Sequence, residues 1–200
     1  MLIFNLFVSS FLSYWLSALC YTFPWGRLDK EQYPTDFNNV CTVVLKNQCI
    51  YTGVYFLPFL YYPEKTYSVY HAIWQIPFMI VLTDILFFFS HYTMHTKWLF
   101  KHVHSKHHKY NIPIAAGALY AHPVEHVCVN LFSAVTPMFL VQAHPTVAIW
   151  WTVLASVNTV ISHSATEKDD NHGLHHRFYN CNYGAGFMIV DRLLGTYKKK

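Results

Sequence analysis

Residues 67–95 read YSVYHAIWQIPFMIVLTDILFFFSHYTMH, and they set how the rest of the chain is built. From Tyr67 to Ser90 the one Asp, Glu, Lys or Arg is Asp84, and a helix needs about 20 largely apolar residues to cross a bilayer. The stretch therefore predicts a transmembrane helix. It runs straight into His91-Tyr-Thr-Met-His95, two histidines at a spacing that puts both on one helix face. The span would deliver a pair of imidazoles to one membrane surface. An ionisable residue inside a span is costly and is read first as functional, so Asp84 is a candidate for orienting those rings, the other reading being a place near the interface.

The flanking segments extend the pattern. Met1 to Phe23 carries no charged side chain and lacks the basic start and small-residue cleavage site of a signal peptide, so it is expected to be a retained anchor. A polar stretch, Arg27 to Asn39, follows. Val40 to Tyr62 is a second candidate span, with Lys46, Asn47 and Gln48 expected near one interface. Val127 to Thr166 contains no Asp, Glu, Lys or Arg. Pro137 and His144-Pro145 should break it into two apolar arms, a helical hairpin. The expected fold class is all-α, an integral membrane helical bundle.

Composition agrees. The 200 residues are 54% hydrophobic and only 12% charged, against roughly 25% charged in soluble domains. The net charge of +4 comes largely from clusters that follow apolar stretches: Lys97, Lys101, Lys106 and Lys109, then Arg192 and Lys198 to Lys200. These read as cytosolic flanks of membrane segments, together with Arg27 and Lys30, while Glu64 and Lys65 fall on the opposite side. A nucleic-acid partner would need a broad basic surface that this chain lacks. The five cysteines show no paired spacing, which points to a reducing compartment.

Thirteen of the 14 histidines lie between His91 and His176. His91-x3-His95 is followed by His104-x2-His107-His108 and by His172-x2-His175-His176. Positions i, i+3 and i+4 share a helix face, and with His163 the clusters supply nine imidazoles. A zinc site uses three or four protein ligands, so nine point to two metals. Imidazoles gathered beside a bilayer gain nothing in packing over Leu or Phe. His122, Glu125 and His126 join Asp84 as candidates for orienting the ligands, while His102, His144 and His71 read as non-ligands.

Taken in order, these motifs resemble the sterol desaturase/fatty acid hydroxylase family. The three histidine clusters match its histidine boxes, and Asp84 precedes the first box as in many members. His122-Pro-Val-Glu125 resembles its HPxE element, His163-Ser164 its HSG, and Leu45 to Gln48 its VLxNQ segment. Asn182-Tyr-Gly184 with Asp191-Arg-Leu-Leu-Gly-Thr196 resembles its NYG…D..xGT ending. The resemblance covers residues 38–198, and the tail Tyr179 to Tyr183 is most similar to the cholesterol 25-hydroxylase branch. Gly173 stands where the last box usually has Asp, Ala165 replaces the Gly of HSG, and the link from His163 to His172 is short.

The resemblance implies a division into an N-terminal anchor and loop, residues 1–37, and a catalytic domain, residues 38–200. It implies two iron ions, with zinc as a substitute, held by His91, His95, His104, His107, His108, His163, His172, His175 and His176 on the cytosolic face. It further implies an O2-dependent hydroxylase or desaturase acting on a sterol or fatty acyl lipid in the endoplasmic reticulum. Electrons would come from a separate donor such as cytochrome b5 and its reductase. A histidine-rich membrane protein that binds metal without turnover is the alternative. An acyl-chain desaturase has a wider first box, and zinc proteolysis would need an HExxH that is absent from the sequence.

Overall fold

A computed structural model describes residues 1–22, 36–62, 66, 68–111, 113–164 and 171–199. Arg27, Lys30, Glu64, Lys65, Ala165, Lys200 and most of the link between His163 and His172 lie outside the described residues. The helices in chain order are α1 (Leu2–Thr22), α2 (Phe37–Lys46), α3 (Gly53–Tyr55), α4 (Val69–Met94) and α5 (Lys97–His102). They continue with α6 (Pro123–Glu125), α7 (Phe132–Leu140), α8 (Pro145–Ile161), α9 (Asn171–Phe178) and α10 (Ile189–Leu194). No strand occurs among the described residues.

Two helices are long and apolar enough to cross a membrane, Leu2–Tyr21 and Val69–Met94. In each, only 22% of the most apolar stretch is buried in the protein, unlike the core helix of a soluble domain. Phe4, Leu12 and Leu16 on α1, and Ile73, Phe78 and Phe89 on α4, are exposed. Such apolar outer faces suit lipid rather than water. α4 continues past Ser90 to Met94, which makes His91 part of the helix and His95 its C-cap.

α1 is packed into the bundle. Its serine flank meets α8, with Ser9 Oγ 2.9 Å from Thr152 Oγ1 and Ser10 Oγ 3.2 Å from Ser156 Oγ. Small polar residues let apolar helices approach closely and hydrogen-bond across the interface. The buried Tyr14 hydroxyl donates to the Ala116 carbonyl, and Trp15 Nε1 donates to Gln48 Oε1. Leu6, Phe56, Met79, Val135, Met138 and Trp151 form one apolar core between α1, α4, α7 and α8.

Three expectations need correction. Val40 to Tyr62 is not one uninterrupted α-helix: α2 passes into a π-helical turn at Asn47–Thr52, then α3 and a 3-10 turn at Leu57–Tyr61. Asn47 and Gln48 are buried in protein rather than set at a boundary, because the Asn47 amide donates to the carbonyls of Leu119 and Ala121. Pro137 does not break the hairpin; it sits inside α7. The reversal falls at Val141–His144, where Gln142 takes a positive φ of 46° and His144 Nδ1 accepts from the Thr146 N–H to cap α8.

The C-terminal segment folds back over the ends of α4 and α9. Asp191 accepts from the N–H groups of Tyr183 and Gly184 and from the Thr196 hydroxyl. The Asn182 amide bridges the carbonyls of Asn171 and Lys198. These bonds explain the Asn-Tyr-Gly and Asp…Gly-Thr pattern as a clasp. Asp84 completes it from within α4 by accepting from the N–H groups of Met188 and Ile189 at 3.2 and 2.8 Å.

Candidate metal centre

The histidines come from four places. α4 ends with His91 and His95, a 3-10 turn at His104–Lys109 carries the second box, His163 follows the end of α8, and α9 carries the third box. His91, His104, His107, His108, His163, His172, His175 and His176 are all buried. Their ring nitrogens gather in two sets, His91, His95, His104, His108 and His175 in one, and His107, His163, His172 and His176 in the other.

The boxes are shared between the sets by a simple rule. Each box gives a pair spaced four residues apart to one set, and each triplet sends its middle histidine to the other. His104 and His108 join His91 and His95, while His107 crosses to the second set; His172 and His176 join that set, while His175 crosses to the first. The two triplets thus tie the two sets together.

Within each set the Nε2 atoms face one another. In the first, His95–His104, His104–His108, His91–His104, His95–His175 and His108–His175 are separated by 2.9, 3.0, 3.1, 3.1 and 3.1 Å. In the second, His172–His176, His107–His163 and His107–His172 are separated by 3.2, 3.3 and 3.5 Å. With metal–nitrogen bonds of about 2.1 Å, two ligands stand about 3.0 Å apart at a right angle and about 3.4 Å apart at the tetrahedral angle. Both sets have the spacing of a coordination sphere.

The outer nitrogens determine what the inner ones offer. Nδ1 of His91, His163, His175 and His176 faces the carbonyl oxygens of Tyr183, Thr159, Cys181 and Tyr110 at 2.8, 2.8, 2.7 and 3.2 Å. A carbonyl only accepts, so these Nδ1 atoms carry the proton, and each Nε2 of the neutral ring is a bare lone pair. Lone pairs that converge cannot hydrogen-bond to one another. A cation between them removes the repulsion, and the donor set fits a metal of the zinc, iron or copper kind. The backbone carbonyls at the outer nitrogens are the usual supports of metal-bound imidazole.

Burial keeps the rings in this neutral form. It lowers His107 from 6.5 to about 4 and His175 to about 3. His163 falls to about 3 by burial and then by the neighbouring His107. His172 and His176 are held well below the ordinary histidine range, first by burial and then by surrounding imidazoles.

Of the four residues expected to orient ligands, Glu125 alone reaches an imidazole. Its Oε1 lies 2.9 Å from His104 Nδ1, a close contact although the N–H is not aligned as a hydrogen bond. Asp84 acts on the clasp instead, because its carboxylate is taken up by two tail amides. His122 caps α6 by accepting from the Val124 N–H, and His126 Nε2 pairs with Thr52 Oγ1. His102 Nδ1 sits 2.8 Å from the Trp98 carbonyl and stands outside both sets, as does His144. The supporting carbonyls were missed because a backbone group leaves no mark in a residue pattern.

A cavity of about 440 Å³ opens beside the histidines, with His91, His107, His163 and His172 in its wall and Ile80, Phe87 and Trp151 among the apolar residues further along. A smaller cavity of about 70 Å³ adjoins it, sharing Asn130, Trp151 and Thr159.

Comparison with known proteins gives the same direction. The family model for fatty acid hydroxylase matches residues 76–196. Very-long-chain aldehyde decarbonylase GL1-8 of Oryza sativa is 30% identical over 197 residues, covering 86% of this chain and 73% of that protein. Sphinganine C4-monooxygenase 1 of Arabidopsis thaliana is 32% identical over 134 residues, 60% of this chain. Methylsterol monooxygenase 2-2 of the same plant is 33% identical over 141 residues, 62% of this chain. The chain spans about half the length of the last two relatives, 52% of each. No solved structure matches.

Proposed function

The chain belongs to the fatty acid hydroxylase family, and we propose that it is a membrane-bound, non-haem di-iron oxygenase that hydroxylates or desaturates a lipid. The observation that carries this reading is the convergence of nine imidazoles in two sets, with His91, His107, His163 and His172 in the wall of a largely apolar cavity. Two iron ions in these sets would supply O2 activation, the chemistry needed to break an unactivated C–H bond, for which no side chain suffices. The chain's own residues bind and orient: the nine histidines hold, Glu125 and the four backbone carbonyls fix the rings, and the apolar wall excludes water and grips hydrocarbon.

The named relatives act on an aldehyde, a sphinganine and a methylsterol, which supports a lipid as substrate here. Lys97, Lys101, Lys106 and Lys109 follow α4, which supports a cytosolic face for the histidines in an endoplasmic-reticulum membrane. A separate donor such as cytochrome b5 with its reductase would deliver electrons to that face.

The test is lipid mass spectrometry of cells expressing the protein or its His175→Ala variant, grown under 18O2. The expected result is a lipid that gains 18O, or loses two hydrogens, with the unaltered protein alone. Identical profiles from cells whose purified protein carries iron would reject the oxygenase and favour a metal-binding scaffold.

A further inference from the structure

Ala185, Gly186 and Phe187 form a short strap between two buried anchors. Before it, the N–H groups of Tyr183 and Gly184 are fixed on the Asp191 carboxylate; after it, those of Met188 and Ile189 are fixed on Asp84. Gly184 and Met188 are buried, whereas Gly186 and Phe187 are exposed, Phe187 by 65%. The same three strap residues line the cavity of about 440 Å³. A single layer of chain therefore stands between this part of the cavity and the outside.

The strap reaches from α4, where Asp84 holds its end, to α8. There Asn158 Nδ2 donates to the Ala185 carbonyl at 3.0 Å, in an exposed position. Arg192 Nε donates to the Phe187 carbonyl from within the same tail segment, so it does not tie the strap across the gap. Packing adds little: a Cβ at Gly186 would meet nothing within 4 Å, while one at the anchor Gly184 would stand 2.9 Å from Asp191 Oδ2. Hydrogen bonds to a carboxylate are roughly twice as strong as neutral ones. The two anchors therefore outlast the one neutral bond at Asn158. Leu154 and Ile161, about a turn before and after Asn158, also line the cavity and are exposed. With Phe187 they give the latch an apolar rim, which suits hydrocarbon rather than water.

We infer that residues 185–187 are a side gate of the cavity, latched by Asn158. Release of the latch swings the strap away from α8 and opens the cavity sideways to the bilayer core. The anchors on Asp84 and Asp191 meanwhile keep the rest of the tail in place, including the Tyr183 carbonyl that faces His91. The inference rests on the membrane-bound reading for the direction in which the gate opens, and on none of the oxygenase chemistry.

The experiment uses the iron-loaded full chain in nanodiscs with a thiol introduced in the cavity wall by Ala134→Cys, or by Ala155→Cys if the first variant does not fold. Two reagents are compared, N-phenylmaleimide, which partitions into the bilayer, and a sulfonated maleimide confined to water. Labelling is followed peptide by peptide by mass spectrometry, so the native cysteines are read separately. Asn158→Leu keeps the size of the side chain and removes the donor, and Asn158→Ala removes both. Each should raise the N-phenylmaleimide rate at the introduced thiol by about 2- to 10-fold. The sulfonated rate and the iron content should hold, and Cys181, buried in the anchored tail, should stay as protected as before. A rise below about twofold in both variants would show that the latch does not control access, and a rise in only one that its bond is not the cause. A rise with the sulfonated reagent would place the opening in water, and a matching rise at Cys181 would mean that the whole tail opens. Any of these overturns the gate. Labelling needs no turnover, so the two readings separate. A working gate without oxidised product rejects the oxygenase alone, and product from a protein without the gate rejects the gate alone.

Discussion

Oε1 of Glu125 lies 2.9 Å from Nδ1 of His104, and both side chains are buried. His104 Nε2 in turn faces His91, His95 and His108. Glu125→Ala should therefore weaken metal binding in the five-histidine set, by about 10- to 100-fold as for other supports of metal-bound histidine. Glu125→Gln, which keeps the shape and an oxygen, should lose less. Iron titration of the two variants checks the order, and equal affinity in Glu125→Ala and the parent would deny the contact a role.

Gly184 sits between two carboxylates. A Cβ there would stand 2.9 Å from Asp191 Oδ2 and 3.2 Å from Asp84 Oδ1, whereas one at Gly186 meets nothing within 4 Å. Gly184→Ala must push the clasp apart, at a cost of about 1–3 kcal/mol, and shift the Tyr183 carbonyl that faces His91. Its melting temperature and iron content should both fall, with Gly186→Ala close to the parent. Equal behaviour of the two would show that the clasp tolerates the displacement.

His163 belongs to the smaller set, where losing one nitrogen of four leaves three. His163→Ala should lose one iron per chain and most activity, as severely as His175→Ala. Full iron content and full turnover in His163→Ala would remove it from the ligand set.

Acid should release metal and loosen the metal-free protein in the same direction. His107, His163 and His175 fall from 6.5 to about 4, 3 and 3 on folding, so between these values the unfolded chain holds more protons than the folded one. Stability then rises with pH in this window and is lost as pH drops from 6.5 toward 3. Melting temperatures of metal-free protein should decline from pH 7 to pH 5. A curve that is flat or rises over that range would contradict the buried, neutral state of these rings.

Much of this was legible in the sequence because it rests on side-chain type and period. The apolar run before His91, the three histidine clusters and the break at His144-Pro145 could be read directly. The partition of the histidines could not. Spacing puts His104, His107 and His108 near one another, but only the approach of the end of α8 and of α9 to this turn gives His107 its neighbours His163 and His172 in the other set. Asp84 was recognised as costly in a span, yet its partners lie about a hundred residues later in backbone amides. Asn47 and Gln48 looked like boundary residues because a polar side chain inside an apolar helix does not announce the carbonyl it will meet.

The most direct measurement is the iron content of the purified, iron-loaded chain, determined by elemental analysis against quantitative amino-acid analysis. Two converging sets of imidazoles require about two irons per chain, falling to about one in His163→Ala. A ratio near one in the unaltered protein, or no stable iron at all, would contradict a two-metal centre.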